Sequence, residues 1–170
     1  MKGLKAILIA AIAVGLVAGS TVGVVAQDDS MEPAAVTGTG TGLQLLAQGS
    51  RAWVDGALRG EGLLYTSTWE ASDPRLNGAL SITANRDLYE KEEMFVASAS
   101  AAVENDDGGW AGSGTVLEGE EVGETWTLVL QGRDAYEGLT AYVVLGPGGR
   151  SFGAAIFPGE MPESPGPPAQ

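Results

Sequence analysis

Polar and apolar positions alternate along the middle of this chain. Within residues 125–130, Trp126, Leu128 and Leu130 alternate with Thr125, Thr127 and Val129, the period-2 spacing of a pleated strand. Residues 78–85 set Leu80, Ile82 and Ala84 against Ser81, Thr83 and Asn85 in the same way. Residues 95–103 put Phe95, Ala97, Ala99, Ala101 and Val103 on one face and Val96, Ser98, Ser100 and Ala102 on the other. An alanine-rich run also suits a helix of about three turns, the competing expectation here. Strand is favoured because Asn105-Asp106-Asp107-Gly108-Gly109 follows at once, a hairpin turn leading into a further run at 110–117.

Extending this pattern predicts strands over 36–43, 52–58, 62–69, 78–85, 95–104, 110–117, 124–131, 139–145 and 151–157. Gly119–Gly123 and Gly146-Pro147-Gly148-Gly149 punctuate them. Short strands at near-regular spacing predict an all-β fold, a small antiparallel up-and-down β-barrel of about eight strands. The interior of such a barrel is just filled by side chains or holds one small ligand. Glycines within the strands (Gly38, Gly40, Gly42, Gly112, Gly114) predict bulges or tight corners.

The ends of the chain differ in composition from this core. Residues 1–26 run from two lysines through the apolar stretch Ala6–Ala18 to Val24-Val25-Ala26, the order of a secretory signal peptide. Retention as a membrane anchor is the alternative, since 6–26 carries no charge. Residues 27–34 read as a flexible lead, 35–157 as the barrel domain, and the proline-rich 158–170 as an extended or disordered tail. The expected location is therefore secreted or extracytoplasmic, with no membrane association after cleavage. Without residues 1–26 the chain keeps seven basic and 22 acidic side chains, a charge of −15. Such acidity argues against nucleic acid or an anionic surface as partner.

Histidine and cysteine are both absent. That excludes Ser-His-Asp and Cys-His nucleophiles, an imidazole base, a thiolate and the usual zinc sites. No disulfide can staple the fold, and no cofactor is expected. The acidic clusters at 90–93 and 118–124 fall in turns, where a solvated carboxyl makes a poor general acid. Glu104, Asp106 and Asp107 lack the spacing of an EF-hand loop, so no metal site is predicted.

Three turn segments stand out: Ser72-Asp73-Pro74-Arg75-Leu76-Asn77-Gly78, Gly108-Gly109-Trp110-Ala111-Gly112 and Gly132-Arg133-Asp134-Ala135-Tyr136-Glu137-Gly138-Leu139-Thr140. In the first, Asp73 caps its own turn, Pro74 presets φ, Gly78 accepts positive φ, and Arg75 pairs with Asp73 or Glu70. In the other two, Trp110 and Tyr136 are placed to seal a barrel end with their polar tips wet, in preference to stacking on a sugar. Gly132–Gly138 lacks the lysine and strand-to-helix context of a phosphate loop. Across roughly 60–157 these segments resemble secreted bacterial proteins of the allene oxide cyclase barrel-like and dirigent-like superfamily, though the chain lacks the cysteine pair common among bacterial members. The resemblance implies an eight-stranded barrel, often trimeric, with a lumen open to small apolar molecules. It transfers no functional residue.

Three functions fit. The first is a barrel binding a small apolar or aromatic ligand, with Ala97, Ala99 and Ala101, or Ser98 and Ser100, leaving lumen space beside Trp53, Trp69 or Trp126. The second is a structural or surface-interaction protein with a packed barrel. The third is an isomerase or cyclase, for which Tyr65, Glu70 and Tyr136 are the ionisable or hydrogen-bonding candidates near strands. The candidate lumen or rim residues are thus Trp53, Tyr65, Trp69, Glu70, Trp126 and Tyr136. The expected partner is a small apolar molecule, with a homo-oligomer as a further expectation.

Overall fold

A computed structural model of the chain describes residues 33–91, 93–119 and 123–160. The expected signal peptide, most of the lead and most of the proline-rich tail lie outside the described residues.

The described chain is all-β. Its strands are β1 (Ala34–Gly40), β2 (Gln44–Ala47), β3 (Ser50–Val54), β4 (Ala57–Ala71), β5 (Gly78–Tyr89), β6 (Met94–Glu104), β7 (Gly108–Glu118), β8 (Thr125–Asp134), β9 (Leu139–Leu145) and β10 (Ser151–Pro158). From β4 to β10 each strand pairs antiparallel with the next, and β1 pairs with β10. A short pairing of β1 with β4, Gly38 to Ala71 through Gly40 to Trp69, closes a barrel-like ring of eight strands. The strand expectation for 95–103 holds, because Ala97, Ala99 and Ala101 alternate inward at 5–6% exposure while their neighbours face out.

Three strand readings need correction. Residues 52–58 do not form one strand: Val54 and Ala57 pair across a turn at Asp55-Gly56, both at positive φ (49° and 85°). That is a type I′ hairpin, whose twist suits the flanking strands. β4 then runs for 15 residues, so the break expected at 59–61, between strands 52–58 and 62–69, is an irregularity inside one strand. The glycines of β7 are not corners either. A Cβ on Gly112 would lie 2.9 Å from the Val129 carbonyl carbon, so their bareness lets β7 lie against β8.

β1, β2 and β3 follow one another along the same edge of β4, opposite residues 69–71, 64–66 and 57–61. β3 and the start of β4 thus extend the wall past the ring as a lip. Inside, Leu63, Leu80, Ile82, Leu128, Leu130, Val143 and Ile156 are fully buried, and each contributes about 1.5–3 kcal/mol of burial.

The end bearing the β4–β5, β6–β7 and β8–β9 connections is closed. A 3-10 turn, Pro74–Leu76, lays a fully buried Leu76 against it. Asp73 accepts from the Arg75 backbone N–H and from its guanidinium, at 3.0 and 2.6 Å. The guanidinium holds the Asp73 carboxyl below its ordinary range, against the upward push of burial. Trp110 stacks on Tyr136 at 5.3 Å. Their polar tips are not wet: Trp110 Nε1 donates to the Arg75 carbonyl at 2.7 Å, and the Tyr136 hydroxyl donates to Asn105 Oδ1 at 3.0 Å.

Candidate functional site

The opposite end carries the β5–β6, β7–β8 and β9–β10 connections, and among the described residues it is open. A cavity of about 280 Å³ enters here, lined by Leu43, Tyr65, Arg86, Phe95, Glu124 and Trp126, with Ala84 and Ala97 at its wall. Its size falls just below the ~300–1,000 Å³ typical of small-molecule sites. The space follows from side-chain size across the register. Ala84, Ala99 and Gly114 are cross-strand partners on β5, β6 and β7, and Ala101 pairs with Gly112. Leu128 and Leu130, the β8 partners of Gly114 and Gly112, fill the space over those glycines, so the room that remains lies toward the mouth, beside Ala84 and Ala97.

The aromatic part is ordered. Tyr65 and Trp126 meet edge to face, with centroids 5.8 Å apart and planes at 76°. The Arg86 guanidinium carbon stands 6.0 Å from the centre of the Phe95 ring, within cation–π range. Glu124 is fixed from both sides: one oxygen accepts from Trp126 Nε1 at 2.7 Å and the other from the Gly148 N–H at 2.8 Å. Gly148 in turn accepts from the Leu43 N–H at 2.8 Å. The carboxylate thus clips Trp126, the β9–β10 turn and Leu43 into one rim. Glu118, also on the pocket, is exposed to solvent.

Of the six candidates, Tyr65 and Trp126 come together in this pocket. Trp53 stands outside it on the lip, 60% exposed. Trp69 is buried at the β1–β4 seam, stacked on Phe152 at 4.4 Å, with its indole N–H unpartnered. Glu70 is exposed and faces away from the neighbouring Trp69, so it lies on the outer wall. Tyr136 belongs to the closed end. The trio Tyr65, Glu70 and Tyr136 is therefore not assembled into one site. Arg86, Phe95 and Glu124 are pocket residues that the sequence reading does not select. Their signal is phase: two residues beyond the inward Leu80, Ile82 and Ala84 comes Arg86, a cation on an apolar face.

The outer wall holds a larger but shallow depression of about 490 Å³, lined by Ser81, Thr83, Ser100, Ala111 and Arg133 and without an aromatic ring. Among the described residues, no three Asp or Glu side chains gather as a metal site, and no helix is long and apolar enough to cross a membrane. Compared with protein-family models, curated proteins and solved structures, the chain matches none of them.

Proposed function

We propose that this is an exported binding protein that holds a small aromatic or apolar molecule in the open mouth of its barrel. The observation that carries this reading is the cavity at one end of a packed ring: one end is sealed by Leu76, Trp110 and Tyr136, and the other, among the described residues, leaves room around Tyr65, Phe95 and Trp126. Convergent aromatic rings with a few placed polar groups are what small-molecule sites present. Export is supported by the basic, apolar, small-residue order of residues 1–26. An isomerase needs an acid or base free to face its substrate. Here Glu124 is held by two N–H donors and Glu118 is solvated, which favours binding over turnover.

Titration with the neutral fluorophore phenylnaphthylamine tests the reading. The wild-type protein should enhance its emission saturably, and Ala97→Leu, which grows into the cavity, should weaken binding at least tenfold. No saturable signal from any aromatic probe, or equal binding by the leucine variant, refutes it. Assembly through the hydroxyl-rich outer wall of β5 to β7 is the second reading, with a trimer as its expected form. Native mass spectrometry of protein from its own host reports subunit count and retained cargo together.

A further inference from the structure

The pocket's charged groups are not equivalent. Glu118 is exposed to water, and Glu124 has both oxygens engaged by protein N–H groups. Arg86 is half-buried in the pocket wall. Among the described residues, the ion pairs are Arg59 with Asp87 and Arg75 with Asp73, so no described carboxylate lies within 4.0 Å of Arg86. Nor does its side chain donate a hydrogen bond to any described residue. A guanidinium carries five N–H donors in a rigid fork, matched to a carboxylate or a similar oxyanion. Among the described residues, those donors are the open polar positions of the site.

The surrounding register adds a second cation and an apolar track. Arg51, Gly60, Arg86 and Ala97 are successive cross-strand partners on β3, β4, β5 and β6, so they share the inward face of the wall. Gly60 is bare, and the stem of Arg86 lies over it: a Cβ there would stand 3.5 Å from Arg86 Cγ. Arg51 and Arg86 therefore flank a gap two strand spacings wide, about 10 Å. The next row on the same face is Trp53, Leu58, Leu88 and Phe95, running from the exposed lip to the pocket. An apolar row thus lies beside a cationic one, and both lead into the aromatic cavity.

We propose that the ligand is an organic anion: an aromatic or apolar body lodged among Tyr65, Phe95 and Trp126, with a carboxylate or sulfonate held by Arg86 at the mouth. This rests on the binding reading above and names the ligand's charge. The carboxylates of Glu118 and Glu124 on the same pocket oppose an anion, which places its charged group at Arg86 and away from them, while exposed charges more than about 8–10 Å away are screened at physiological salt.

Two probes of one skeleton separate the claims: anilinonaphthalene sulfonate carries the anion, and phenylnaphthylamine lacks it. The wild-type protein should bind the sulfonate at least tenfold more tightly than the neutral probe. Arg86→Met should bring that ratio to within twofold of one, Arg86→Lys should retain most of it, and Arg51→Met should lower it by a smaller factor. High salt should weaken only the sulfonate, a measurement on wild-type protein that stands even if Arg86→Met does not fold. Neutral-probe binding with a ratio near one, or a ratio below one, overturns the anion proposal and leaves the binding reading standing. Failure of both probes removes both.

Discussion

Asn105 is the side chain on which the closed end depends, and replacing it with alanine gives the sharpest test of how that end is built. Its Nδ2 donates to the carbonyls of Arg75 and Asn77, at 3.2 and 2.9 Å. Its Oδ1 accepts from the Tyr136 hydroxyl and from the backbone N–H groups of Asp107 and Gly108, at 3.0, 3.1 and 3.0 Å. Not all five losses cost the same. The Arg75 carbonyl keeps its bond from Trp110, and the exposed Asp107 N–H turns to water. The Tyr136 hydroxyl, the Gly108 N–H and the Asn77 carbonyl are left without a partner. At about 1 kcal/mol each, Asn105→Ala should destabilise the domain by about 3 kcal/mol. For a folded unit of this size that is roughly a 10 °C fall in Tm. Urea unfolding followed by tryptophan emission measures it, since Trp110 stacks on Tyr136 at the perturbed end. Asn105→Asp, which keeps the three accepted bonds, should fall between the two. An Asn105→Ala protein melting within 2 °C of wild type, against the roughly 10 °C worked here, would refute the view that this network seals the barrel.

Two further outcomes follow from the geometry. Gly112→Ala places a methyl group against the Val129 backbone, and should cost about 1–3 kcal/mol by forcing β7 away from β8, measured by the same unfolding curves. Asp73 has its pKa lowered by the Arg75 guanidinium, so its contribution is complete above the ordinary value of about 3.9 and disappears as pH falls through the depressed one. Asp73→Asn should therefore flatten the stability profile below pH 4 while leaving its shape at neutral pH unchanged. An unaltered acid limb counts against the pair.

What the sequence disclosed and what it hid divide along one line. β5 to β10 were legible because each alternates cleanly and ends in a turn with its own chemistry, such as Asn105–Gly109. The β3–β4 hairpin was obscured because apolar residues flank Asp55-Gly56 on both sides, from Trp53 to Leu58, and suggest one continuous strand. The gap expected at 59–61 misled in the opposite direction: β4 continues through it by an irregularity that no local pattern announces, beside which the Gly62 N–H donates to Asn85 Oδ1 at 2.8 Å. Period-2 phase tells which face a side chain occupies, and it placed Tyr65 and Trp126 near a lumen. It cannot tell the height of a residue in the ring, which depends on register. Trp69 and Tyr136 share the aromatic character of Trp126, yet pairing carries Trp69 to the seam and Tyr136 to the closed end.

The polar groups at the mouth argue that the cavity is a site and not a packing fault. A sealed, dry void of about 280 Å³ would cost roughly 7 kcal/mol at ~24 cal/mol per Å³, a large share of a domain's usual 5–15 kcal/mol. Opening the barrel avoids that cost only if water is welcome, and Arg86, Glu118 and Glu124 make it so. The small side chains of Ala84 and Ala97 then represent burial forgone, because larger residues there would cover apolar surface of the pocket now facing solvent. Sites kept for function commonly carry such a deficit. Ala97→Leu should accordingly melt at or above the wild-type temperature while losing the neutral probe. A leucine variant that loses stability as well would instead mark Ala97 as a packing position with no room beside it, and the cavity would lose its standing as a place for a ligand.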